Sequence, residues 1–258
     1  MHNIKGIIFD YGGTLDTNGT HWFHIFRQVY SKCLPQIAEE QLRDAYVHGE
    51  RYLATHHVIE PTDDFLMMLR KKVGIQVRQL ANTLHKDYIH ESNLQDTVSQ
   101  IAEACDAIVR SNMAETRRIL DTLTTGYPLV LVSNFYGNIH AVLQSYGIDG
   151  YFKDVIESAV VGIRKPDPQI FALGIEALAL SPDEVLVVAE NASPPISVTL
   201  FGITTLFRFL QLANVLSPIF FTLLGIMTLV KPSLFENIVS SISVMPSGIA
   251  NLPFFFFG

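Results

Sequence analysis

Cysteine is scarce in this sequence. Cys33 and Cys105 are the only two in 258 residues. They lie far apart and fit neither a metal-ligand spacing nor a redox pair, so a disulfide framework is excluded and a reducing cytosol is expected. Clustered positive charge is also missing. Eighteen Lys and Arg stand against 25 Asp and Glu, for a net charge of −7. No nucleic-acid partner is expected from that balance. The N-terminus carries no signal-peptide pattern, since Lys5 is followed by a short apolar run and then Asp10. No internal repeat is evident. Charge of either sign nearly vanishes after residue 190: residues 191–258 hold only Arg208, Lys231 and Glu236.

Against these absences stands Asp10-Tyr-Gly-Gly-Thr14-Leu-Asp16, directly after the apolar run Ile7-Ile8-Phe9. A buried strand would fix the carboxylate at its mouth, and Gly12, Gly13 and Thr14 would bring backbone N–H groups close to an anionic substrate. Three further segments follow in order. Leu129-Val-Leu-Val-Ser133-Asn134 reads as a strand buried on both faces, with a hydroxyl and an amide at its C-terminal end. That end is where ligands bind in open parallel sheets. Gly162-Ile-Arg164-Lys165-Pro166-Asp167-Pro168 places Lys165 on a loop ahead of a helix over 169–180, with Asp167 as N-cap and Pro168 as the first helical residue. Val185-Leu-Val-Val188-Ala-Glu190 ends another strand with a nearby carboxylate.

Taken together, Asp10–Asp16, Ser133, Lys165 and the strand before Glu190 resemble the four ordered motifs of the haloacid dehalogenase superfamily, over roughly residues 4–188. The segments around the first three motifs resemble its phosphatase branch. The resemblance implies a Rossmann-like parallel sheet flanked by helices, with an inserted α-helical cap. It implies a hydrolase of small phosphorylated metabolites in which Asp10 attacks phosphorus. Ser133, with Asn134 beside it, would hydrogen-bond the phosphoryl oxygens, and Lys165 would neutralise charge. Mg²⁺ would be held by Asp10, the carbonyl of Gly12 and Glu190. These residue types suit covalent catalysis, phosphoryl-charge stabilisation and a hard cation respectively.

Two positions depart from the family pattern. Gly12 stands where typical phosphatases of the family have a second Asp, which protonates the leaving alkoxide and later activates water. General acid–base help of that kind is worth about 10²–10⁴ in rate. Asp16 lies nearby in sequence but is displaced along the loop. In the fourth motif, Ala189-Glu190 replaces the family's Gly-acid pair, and Pro195 stands where a second acid is expected. Weak turnover and weakened Mg²⁺ affinity follow. Two alternatives remain open: a catalytically inactive protein that keeps the fold to bind a ligand or partner, and dehalogenase-like carbon–halogen hydrolysis, which needs no metal.

The domain organisation expected is a discontinuous core over 1–16 and 112–190, a helical cap over 17–111, and an apolar tail over 191–258. In the cap, Leu94, Val98, Ile101, Cys105, Ile108 and Val109 recur at helical spacing, up to a stop at Gly126-Tyr-Pro128. Trp22, Phe23 and Phe26 are candidates for substrate contact, although aromatics so spaced more often form core. His56, His57, His85 and His90 read as surface residues. After Gly126, strands alternate with helices, which argues for a parallel sheet covered on both faces.

The tail has two readings. Residues 209–230 are uncharged and long enough to span a bilayer as a helix, which would make the protein membrane-associated. Gln211, Asn214 and Pro218 weigh against this. The preferred reading is a change of reading frame near codon 189. Back-translating from the third base of that codon permits Gly-Glu and an acid five positions beyond the Glu. This explains why resemblance and charge end together. Neither substrate identity nor oligomeric state is encoded in a readable pattern.

Overall fold

The structure is a computed structural model that describes residues 4–83 and 91–189, and beyond them five three-residue strands. It divides into two units. The first comprises Met1–His21, Thr116–Asn134 and Tyr151–Gly258; the second comprises Trp22–Glu115 and Phe135–Gly150.

The first unit is built on a parallel sheet. Its principal strands are β1 (Gly6–Phe9), β2 (Leu129–Ser133), β3 (Asp154–Glu157) and β4 (Val185–Val188). They run in the order β3-β2-β1-β4. Every residue of β1 and β2 is buried, as unbroken apolar runs require in a sheet covered on both faces. The register sets Phe9 opposite both Leu131 and Val188, and Ser133 opposite Glu157. The C-terminal ends of all four strands therefore reach one edge together. Further strands β5 (Ile203–Thr205), β7 (Ile226–Thr228) and β9 (Ile249–Asn251) continue the sheet beyond β4, while β6 (Gln211–Ala213) pairs with β8 (Leu234–Glu236).

Helix α7 (Gln169–Leu178), which follows the short α6 (Ser158–Val161), covers one face. Its Ile170, Ile175 and Leu178 pack on Ile8, Val130 and Val132. Burial of each such side chain is worth about 1.5–3 kcal/mol. The approach is close because residue 174 is glycine: a Cβ there would lie 2.8 Å from Val132 and 3.0 Å from Ile8. The helix begins one residue later than expected. Pro168 is the N-cap position, yet Asp167 still caps it, since its Oδ1 accepts the Gln169 N–H at 2.9 Å.

The second unit is helical: α1 (Trp22–Cys33), α2 (Glu39–Thr55), α3 (Phe65–Thr83), the first part of α4 (Leu94–Thr124), and α5 (Ile139–Ser145). Val98, Ile101, Cys105 and Val109 are buried, as the periodicity of α4 predicts. Burial pushes the Cys105 thiol up to about 12. Phe23 and Phe26 are core residues at 4% and 0% exposure, and Trp22 packs at 5.6 Å from Phe65, so these rings build the helical unit.

Segment 135–150 was expected with the sheet and groups with the helices. Tyr136 donates to Glu50 at 2.9 Å, Asn138 donates to the Asp63 carbonyl at 2.9 Å, and Tyr146 donates to Asp106 at 2.6 Å. Lys72, buried among Phe26, Tyr46 and Tyr136, pairs with Glu50. Burial alone would lower its pKa; Glu50, together with Tyr136 and Tyr46, more than reverses that, and the ammonium stays protonated well above its usual range.

His56 and His57 are exposed; His85 and His90 lie outside the described residues. Residues 209–230 lie outside them too, apart from β6 and β7. No helix among the described residues is long and apolar enough to cross a membrane.

Candidate active site

Asp10 immediately follows β1, and its N–H donates to the Val188 carbonyl at 2.9 Å, which continues the strand pairing to the sheet edge. The loop beyond is held by its own atoms. The N–H groups of Thr14 and Leu15 donate to the Tyr11 carbonyl at 3.1 and 2.9 Å. Gly13 has φ 84°, a left-handed conformation that favours glycine. Its N–H donates to Asp16 Oδ1 at 2.7 Å. Asp16 is fully buried, so its carboxylate organises this turn from inside. The loop is also tied to α4, where the Thr116 hydroxyl donates to the Leu15 carbonyl at 2.8 Å.

Lys165 meets Asp10 from the opposite loop. Its Nζ lies 2.7 Å from Asp10 Oδ1, and both side chains are 17% exposed. The Tyr11 N–H donates to the same Oδ1 at 2.7 Å. Lys165 Nζ also donates to the Val132 carbonyl at 3.2 Å and stands 6.0 Å above the Phe171 ring centroid. A partly buried ion pair of this kind interacts more strongly than one in open water, because solvent screens it less.

Asn134 is where geometry departs most from expectation. Its side-chain amide was expected beside the substrate. Instead Oδ1 accepts the Lys165 N–H at 2.9 Å, and Nδ2 donates to the Lys165 carbonyl at 3.1 Å. Both ends of the amide hold the backbone of the residue that pairs with Asp10. Ser133, at 1% exposure, ends β2 beside this latch.

Sequence reasoning missed two carboxylates here. Sequence spacing presents Asp16 only as an acid displaced along the loop, whereas the structure makes it the buried anchor of the turn. Glu157 is 2% exposed and opposite Ser133 in register. The available signal was an acid closing the otherwise apolar Val155-Ile156 stretch.

For a metal, the donor types fit a hard cation: the Asp10 carboxylate and the Gly12 carbonyl are oxygen ligands. Glu190 lies outside the described residues. Among the described residues no group of three or more His, Cys, Asp or Glu side chains could hold a metal ion.

The haloacid dehalogenase-like hydrolase family model matches residues 4–190. The human haloacid dehalogenase-like hydrolase domain-containing protein 3 is 31% identical over 131 residues, which is 49% of this chain and 45% of the human protein. The match thus spans about half the length of that curated relative. Among solved structures, a dehalogenase is 18% identical with a TM-score of 0.46, covering 74% of this chain and 79% of that one. The L-2-haloacid dehalogenase from Xanthobacter autotrophicus is 21% identical with a TM-score of 0.40, covering 72% and 69%. A predicted phosphoglycolate phosphatase from Haemophilus somnus 129PT is 18% identical with a TM-score of 0.34, covering 73% and 77%.

Proposed function

This chain belongs to the haloacid dehalogenase-like hydrolases, and we propose that it moves the phosphoryl group of small phosphorylated metabolites to water by way of Asp10. The observation that carries the reading is the Asp10–Lys165 pair, 2.7 Å apart at the C-terminal edge of a parallel sheet. Lys165 and the Tyr11 N–H engage Oδ1. Oδ2 is then the attacking atom. It bonds to phosphorus as the ester oxygen leaves, giving an aspartyl-phosphate and an alkoxide. With glycine at position 12, the alkoxide takes its proton from solvent. A water then attacks phosphorus, releases phosphate and restores the carboxylate.

Lys165 offsets the charge that builds on the phosphoryl oxygens, and Ser133 donates to one of them. Gly13 and Thr14 line the same loop. Mg²⁺ bound by Asp10, the Gly12 carbonyl and Glu190 would supply further neutralisation of the phosphoryl oxygens. The reading predicts slow turnover, best with good leaving groups. Both cysteines are free, and we place the protein in the cytoplasm.

The test is hydrolysis of p-nitrophenyl phosphate with Mg²⁺. Asp10→Asn should remove turnover and the trapping of a fluoride–metal phosphate mimic; turnover unaffected by Asp10→Asn would sink the mechanism. A second reading draws on Gly12: carbon–halogen hydrolysis expels a halide, which needs no proton from position 12. Halide release from 2-chloropropionate in EDTA, lost in Asp10→Asn, would favour it.

A further inference from the structure

The helical unit holds a groove that the reaction at Asp10 does not use. It has a volume of about 500 Å³ and lies among α2, α3 and α4. That is within the range of small-molecule sites, about 300–1,000 Å³. Along α3 it is lined by Arg70, Lys71 and Arg78, with Gly74 between them. Residues 70, 74, 78 and 82 follow at intervals of four and so share one helix face.

The cations are not equivalent. Arg70 pairs with Glu103 at 2.9 Å, and Lys71 pairs with Asp63. Among the described residues Arg78 has no ion pair, so it is the guanidinium of this face that stands apart from the paired Arg70 and Lys71. Around it stand the amides of Gln79, Asn82 and Gln95 and the Ser99 hydroxyl, over an apolar floor that includes Ile75 and Val98.

Gly74 supplies an independent observation. Glycine inside a helix costs about 1 kcal/mol relative to alanine. Close packing would explain it, as at Gly49, where a Cβ would come within 3.2 Å of Gln76. A Cβ at Gly74 would meet nothing within 4 Å. No neighbouring helix needs that space. It opens the groove floor one turn from Arg78.

We propose that this groove is a binding site for an organic phosphate with a hydroxylated body. The guanidinium fork takes the phosphate oxygens. The three amides, each both donor and acceptor, suit hydroxyl groups. The site is separate from the chemistry at Asp10 and independent of whether that chemistry runs.

The test is calorimetric titration of the full-length protein with ribose 5-phosphate in EDTA, with ribose as the uncharged control. Saturable binding of the phosphate alone is expected. Arg78→Ala should weaken it about tenfold or more, the loss of one charge-assisted contact. Gly74→Leu should do the same by filling the floor. Lys165→Met, which disables the Asp10 site, should leave it intact. No saturable heat up to about 10 mM overturns the proposal. So does binding lost in Lys165→Met but unchanged in Arg78→Ala, because the ligand then occupies the Asp10 site. Arg78 is exposed, so its replacement tests the groove even if Gly74→Leu fails to fold.

Discussion

Asn134→Ala removes the two hydrogen bonds that hold the Lys165 backbone, at 2.9 and 3.1 Å, and touches neither Asp10 nor the Lys165 side chain. A neutral hydrogen bond contributes a net of about 0.5–1.5 kcal/mol. The pair is therefore worth roughly 1–3 kcal/mol. In a unit of this size, each kcal/mol moves Tm by about 2–4 °C. The catalytic effect is larger in proportion. Misplacing a reacting group by about 1 Å can cost about 10²-fold. Attraction to Asp10 and the Val132 carbonyl still restrains Nζ, so kcat should fall roughly 10–100-fold, with KM changed much less. The assay is p-nitrophenyl phosphate turnover across a double-mutant cycle. With Lys165→Met already in place, Asn134→Ala should cost almost nothing further, because what it positions is gone. A kcat within twofold of the parent, or an equal loss with and without the Lys165 side chain, would refute the latch.

Two other predictions follow from the same structure. Gly12 is not among the residues with positive φ, so aspartate can occupy the position without backbone strain. Gly12→Asp should raise hydrolysis of alkyl phosphates by about 10²–10⁴, and aryl phosphates less; no gain in a folded variant that still needs Asp10 would show that the missing acid does not limit the rate. Glu184 is held at about 2 by Lys5 and by the hydroxyl and N–H of Ser181. A depressed carboxylate stabilises the fold above its ordinary pKa of about 4.5 and loses that contribution as pH falls towards 2. The urea midpoint of the parent should exceed that of Glu184→Gln near neutrality, converge with it between pH 4.5 and 2, and do so by less in high salt, since the pair is exposed. A difference independent of pH across that window would contradict the assignment.

What the sequence disclosed is what local pattern controls. Unbroken apolar runs at Ile7–Phe9, Leu129–Val132 and Val185–Val188 mark strands buried on both faces, because they are shorter than a typical helix and rich in β-branched Ile and Val. The order of Asp10, Ser133 and Lys165 pointed to a candidate site, and the structure brings Asp10 and Lys165 together. What stayed illegible depends on contacts across long stretches of chain. The direction of the Asn134 amide is decided by a loop 31 residues away. The grouping of 135–150 with the helices rests on Tyr136 reaching Glu50, 86 residues distant. Periodicity carries no information about either. Asp16 shows the same limit at short range: composition identifies a carboxylate, but only the left-handed turn at Gly13 shows that it points inwards.

The two departures from the family pattern are not scattered. Asp10 donates its N–H to the carbonyl of Val188, the last residue of β4, so β4 ends beside Asp10. Gly12 lies two residues beyond Asp10 in the loop that follows β1. In the proposed mechanism, proton transfer and metal ligation depend on these positions. The groups expected to meet phosphoryl oxygens come from elsewhere, from the ends of β2 and the Lys165 loop, and there the residue types of the family pattern are kept. Lys165 is on Asp10, Asn134 grips its backbone, and Ser133 stands at the strand end. Loss confined to one side separates two properties that a complete hydrolase would link. Recognition of an anion rests on the positive charge and fixed donors of the intact side. Turnover rests on an acid and a cation that the altered side must supply. The chain should therefore hold a phosphate ester at Asp10 more faithfully than it hydrolyses one. For the same reason, measured affinity is a better guide than rate to what this fold still recognises.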